Sequence, residues 1–145
     1  MYKRILLAYD GSDSGQKALL DCRDIAHLTQ SELFLIAVRP PPAVFIGGES
    51  GIYDPKIEEE EEAQYKAILE DGLKRLSEKG QSVRGEVVVG DAVAEISAHA
   101  AKIGADLIVV GHRHLNSWAA RWWRGSMSKS LIEIAPCSVL VVITR

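Results

Sequence analysis

The 145-residue sequence predicts an α/β protein: one five-stranded parallel sheet with strand order 3-2-1-4-5 and helices on both faces. Three observations lead there. Short apolar runs rich in β-branched residues, at 5–9, 33–38 and 107–110, lack the alternation of a half-exposed strand and read as central strands covered on both sides. Between such runs the apolar period lengthens to that of a helix. Strand and helix then alternate strictly, β-α-β-α-β-α-β-α-β, and right-handed crossovers are the common way to join parallel neighbours.

The elements follow in order. Residues 5–9 make the first strand, and Ala18, Cys22, Ile25, Ala26 and Thr29 make the buried stripe of the first helix. The second strand is 33–38. Residues 39–56, with Pro40, Pro41, Pro42, Gly47, Gly48 and Gly51, read as a long loop of the lid or disordered kind. The acidic run 58–62 begins the second helix, whose stripe is Tyr65, Ile68, Leu69, Leu73 and Leu76, because carboxylates complement a helix N-terminus. Residues 83–89 and 139–144 are strands of mixed or edge character. Val93, Ile96, Ala100 and Ile103 mark the third helix, and Met127, Leu131 and Ile134 the fourth. Stops fall near Gly80, Gly104 and Pro136.

Composition narrows the function. Apolar residues make up 47% and charged ones 26% at a net charge of -3, as in an ordinary globular chain; there is no global basic field for nucleic acid. Residues 1–145 are expected to form one domain. The apolar run behind Lys3 and Arg4 is too short for a signal peptide, and no stretch approaches the roughly 20 residues of a membrane span, so a cytoplasmic protein without membrane insertion is expected. Cys22 and Cys137 are expected to be free, buried thiols.

In the 3-2-1-4-5 order, strands 1 and 4 part their connections in opposite directions, and ligands bind in the crevice at their carboxyl ends. The first tip carries Asp10, Gly11, Ser12, Asp13 and Ser14: a carboxylate able to accept from ribose hydroxyls or an adenine amino group, a turn glycine, and a helix-capping serine. The same residue types also serve turns and caps. The fourth tip runs from Gly111 to Ser126, a glycine-bounded cationic loop that feeds a helix N-terminus. Backbone N–H groups at Ser126 and Met127 and the Ser126 hydroxyl could meet phosphate oxygens, with Arg113, Arg121 or Arg124 adding charge. Ser126 serves equally as a plain N-cap. His112 and His114 form an H-x-H pair with no further ligand close in sequence, so no metal site is expected.

These residues carry a resemblance. The stretch 3–18 is similar to the opening of universal stress proteins; so are Gly90 and Asp91 followed by Ile96, then 105–112, then Gly125 and Ser126 through Pro136 to 139–142. The resemblance implies an adenine-nucleotide alpha-hydrolase-like α/β domain, often holding ATP or AMP and often dimeric through its last strand. It would place Asp10 on the ribose or adenine, Ala8 and Val38 along the adenine slot, and Gly111, Gly125 and Ser126 at the phosphates. The chain departs from the nucleotide-binding pattern at two points. His114 stands in place of the second glycine, and ten residues rather than nine separate it from Gly125.

The leading expectation is therefore a stress-response regulator that binds ATP or AMP and forms a homodimer through 138–144, an apolar segment with little charge to deter pairing. The alternative is a nucleotide-free dimeric interaction module. Trp118, Trp122 and Trp123, with Arg121 and Arg124, would then form a contact patch for a protein partner, or else pack against the body. No nucleophile and base stand together and the phosphate-binding lysine motif is missing, so dedicated catalysis is not expected, slow nucleotide hydrolysis aside. A two-component receiver would need a phosphorylatable Asp after strand 3, where Asp91 reads instead as a helix cap.

Overall fold

A computed structural model of the chain describes residues 1–41, 54–78, 80–113 and 127–144. The elements are β1 (Arg4–Ala8), α1 (Asp13–Thr29), β2 (Glu32–Arg39), α2 (Pro55–Ser77), β3 (Val83–Val89), α3 (Ala92–Ile103), β4 (Leu107–Arg113), α4 (Met127–Ile134) and β5 (Ser138–Thr144). The sheet order is β3-β2-β1-β4-β5 and every neighbouring pair is parallel, as the sequence predicts.

Side chains alternate across the central strands and so feed two cores. Ile5 and Leu7 of β1 join Leu33, Leu35 and Val109 under α1 and α2, which contribute Ala18, Leu19, Cys22, Leu69 and Leu76. Leu6 joins Ile36, Ile108 and Val110 on the other face, under Ile96 and Ala100 of α3 and Leu131 of α4. Each such Leu or Ile, fully withdrawn from water, contributes roughly 1.5–3 kcal/mol.

Local chemistry sets the ends. Ser12 caps α1 by accepting from the Gly15 N–H at 3.0 Å, and Asp91 caps α3 by accepting from the Ala94 N–H at 3.0 Å. The αL residue that closes α3 is Gly104, at φ +66°. The start of β1 is tied to the start of β4 by one carboxylate: Asp106 accepts from the Lys3 N–H at 2.8 Å and the Arg4 N–H at 3.1 Å. The Arg4 guanidinium in turn donates to the Ile103 carbonyl at 3.1 Å, satisfying an orphan at the end of α3.

Several sequence expectations are corrected. β2 runs through Arg39, and α2 starts at Pro55 behind an Asp54 cap, so the expected loop 39–56 is shorter at both ends. The part of that loop at 42–53 lies outside the described residues. Gly111, His112 and Arg113 are strand rather than loop, because they pair with Val142, Ile143 and Thr144. Ile134, expected on the buried stripe of α4, is 54% exposed, since Leu131 and, four residues on at the helix end, Ala135 turn to the core instead. Cys22 is a buried free thiol; Cys137 is free but only half-buried, at the entry to β5.

Candidate functional site

β1 is hydrogen-bonded on both sides, and Ala8 is level with Ile36 of β2 and Val110 of β4. The carboxyl ends of the first and fourth strands therefore stand side by side. Tyr9 continues past β1 by donating its N–H to the Ile36 carbonyl at 2.9 Å, and Gly11 turns the chain at φ +79°, a conformation suited to glycine.

Asp10 projects from this turn and is exposed. Its Oδ1 accepts from the Ser12 N–H at 3.0 Å and from the Ser12 hydroxyl. Since that hydroxyl donates to Asp10 and accepts from the Gly15 N–H, the Ser14 hydroxyl must donate to it across 3.1 Å. Both bonds to Asp10 end on Oδ1, which leaves Oδ2 without a protein donor among the described residues. The turn thus fixes the carboxylate by one oxygen and presents the other.

Gly15 and Gly111 are where the backbone comes closest. A Cβ on Gly15 would fall 2.8 Å from Asp10 Oδ1, so the carboxylate lies over a position that tolerates no side chain. A Cβ on Gly111 would fall 2.3 Å from the Ser14 carbonyl oxygen and 2.8 Å from the Gly15 nitrogen. β4 therefore presses its backbone against the first turn of α1. Ala8 and Val38, both half-buried, pack into the core on the α3 and α4 side, together with Val110.

Other predicted positions are distributed as follows. Arg113 ends β4 opposite Thr144, and Met127 is the first residue of α4. Arg121, Arg124, Gly125, Ser126, His114 and the three tryptophans, Trp118, Trp122 and Trp123, lie outside the described residues. Clefts occur elsewhere: a groove of about 420 Å³ runs between α1 (Lys17, Asp21, Asp24, Ile25) and β5 (Leu140, Val141, Val142, Ile143).

Two polar groups beside the tips escape the sequence reading. The Tyr9 ring leans on Gly72 of α2 and its hydroxyl donates to Asp71 at 3.2 Å; burial first, then the Asp71 charge, push its ionisation above the ordinary value. Arg39, the last residue of β2, is 7% exposed. The only sequence signal for it is a lone cation between an apolar strand and three prolines.

The comparisons with known proteins agree with this fold. The Bacillus subtilis universal stress protein YxiE is 32% identical, with 98% of this chain and 99% of that one aligned. A universal stress protein family member from Burkholderia pseudomallei superimposes with a TM-score of 0.76 at 26% identity, over 97% and 96% of the two chains. A universal stress protein solved in complex with cAMP superimposes with a TM-score of 0.73 at 25% identity, over 99% and 98%. The profile of the universal stress protein family matches residues 1–142, and the chain belongs to that family.

Proposed function

We propose that this protein is a regulatory stress protein that holds an adenine nucleotide, ATP or AMP, at the adjoining carboxyl ends of β1 and β4. The observation that carries the reading is the exposed Asp10 carboxylate, fixed by one oxygen beside β4, with the other oxygen receiving no donor among the described residues. In this reading Asp10 Oδ2 accepts from a ribose hydroxyl or the adenine amino group. Ala8 and Val38 offer an apolar edge for the ring. Gly111, Gly125, Ser126 and the Met127 N–H face the phosphates, and Arg113 and Arg124 supply the charge that His114 denies to backbone approach. The 25%-identical relative solved with cAMP supports the ligand class.

No catalytic residue is assigned. Occupancy, rather than turnover, is the signal, and a homodimer through β5 carries it. β5 is an edge of the sheet and Ile143 on it is 53% exposed, which supports pairing there.

The test is the protein purified without added ligand, denatured, with the supernatant assayed for nucleotide, alongside thermal melts with ATP, ADP and AMP. A ligand at a hundred times its dissociation constant should stabilise the fold by about 2.7 kcal/mol. An Asp10→Ala variant should lose that stabilisation. No released nucleotide, no stabilisation, and a partner-binding defect on changing Trp122 and Trp123 would replace this reading with the interaction module.

A further inference from the structure

Arg39 is a buried charge with almost nothing to hold it. Its side chain is 8% exposed, and among the described residues its one ion-pair partner is Glu58 of α2, at 4.0 Å from Nη2, beyond hydrogen-bonding reach. Nε and Nη1 are withdrawn from solvent and have no hydrogen-bond partner among the described residues. A guanidinium cannot escape the cost of burial by losing its proton, because it stays charged at any physiological pH. Burying an ion without full pairing costs several kcal/mol, and folded chains tolerate that where the charge has a task.

Placement says what the task is. Arg39 ends β2 at the carboxyl edge of the sheet, the edge at which open α/β folds bind ligands. Its carbonyl accepts from the Gly90 N–H at 2.9 Å, so the backbone is held and the side chain is rooted. Residue alternation sends it to the α2 face, opposite Val38. Glu58 is 30% exposed and too far to bond, so it can turn to water when a better partner arrives.

We infer that Arg39 holds an oxyanion, a phosphate group in the first instance, at the carboxyl end of β2 beneath the start of α2. Planar, multiply donating and already desolvated, the guanidinium matches a phosphate oxyanion in shape and charge. Glu58 is the counter-charge of Arg39 and competes with the ligand. The site does not depend on the nucleotide reading, since the phosphate can be free or carried by a nucleotide.

The experiment uses the full chain, wild type and the variants Arg39→Met, Arg39→Lys and Glu58→Gln. Each is titrated calorimetrically with inorganic phosphate, AMP and adenosine, and melted without ligand. Arg39→Met should weaken phosphate or AMP binding about tenfold to a hundredfold, as loss of a charge-assisted hydrogen bond does, and leave adenosine binding unchanged. Its ligand-free melt should be as high as wild type or higher, because an apolar chain replaces an unpaired ion. Glu58→Gln should tighten oxyanion binding several-fold. Dependence on Arg39 for inorganic phosphate marks a separate anion site, and dependence for AMP alone assigns the phosphate to the nucleotide.

The inference is overturned if Arg39→Met melts several degrees lower while phosphate and AMP bind as before, for then Arg39 only ties β2 to α2. Equal losses for AMP and adenosine, or a wild type that binds neither phosphate nor AMP, overturn it too. Should Arg39→Met not fold, Arg39→Lys, which keeps the charge but not the planar donors, decides by the same contrast, and Glu58→Gln decides independently. A wild type that binds phosphate but no adenine ligand would sink the nucleotide reading and leave this one standing.

Discussion

A methyl group on Gly111 would have to share space with the Ser14 carbonyl, 2.3 Å away on a helical backbone that cannot rotate aside. Gly111→Ala should therefore force β4 off α1 and cost roughly 3 kcal/mol, at the upper end for overpacking, readable in urea unfolding. A loss below about 0.5 kcal/mol would show that the two elements part easily. Cys22 gives a pH dependence of definite sign. Burial pushes its ionisation from 9.0 up to about 12. Between those values the unfolded chain releases the thiol proton and the folded chain keeps it, so stability present below pH 9 drains away as pH rises toward 12. Tyr9, also shifted upward by burial, acts in the same direction above pH 10. By pH 10.5 the Cys22 contribution should have fallen by on the order of 2 kcal/mol, and Cys22→Ala should flatten that decline.

At the scale of elements, α2 carries a glycine where helix propensity argues against one. A Cβ on Gly72 would meet Leu35 Cδ2 at 2.7 Å and Tyr9 Cδ1 at 2.9 Å, so the helix gives up propensity to let β1 and β2 approach. Gly72→Ala, which stabilises an exposed helix by about 1 kcal/mol, should here destabilise; a rise in melting temperature would contradict the packing. Most of the element order was legible because periodicity needs only neighbours in sequence: the stripes of Ala18, Cys22 and Ala26, or of Ile96 and Ala100, are the buried faces observed. Less legible was anything set by partners far along the chain. β4 outlasts its apolar run because β5 lies beside Gly111, His112 and Arg113. Asp106 stands just before the apolar run of β4, and only the fold brings the Lys3 and Arg4 amides, more than a hundred residues away, to its carboxylate. In the candidate site Asp10 could be read from its place at a strand tip, whereas Arg39 could not, since a lone cation between an apolar strand and three prolines does not announce that the charge will be buried.

Taken whole, the molecule has two sheet edges, β3 and β5, and they are guarded differently. β3 shows Arg84 and Glu86, charges that deter pairing, while β5 carries no charge and is apolar from Val139 to Ile143. A dimer through β5 should accordingly be broken by Ile143→Lys and untouched by changes in β3; sedimentation at micromolar concentration reads the difference, and a wild-type monomer there would exclude the arrangement. The position of β1 at the centre of the sheet has a further consequence. Its partner on one side, β2, follows at once, but on the other side Ile5 must wait for Leu107, and α1 waits with it for the cover of β4 and β5. On the ribosome, then, the nascent chain carries a greasy helix and half a sheet without their lid for most of its synthesis, the condition under which holding chaperones engage. Chains stalled before residue 107 should be captured by such a chaperone and degraded readily, and chains released after residue 144 should not.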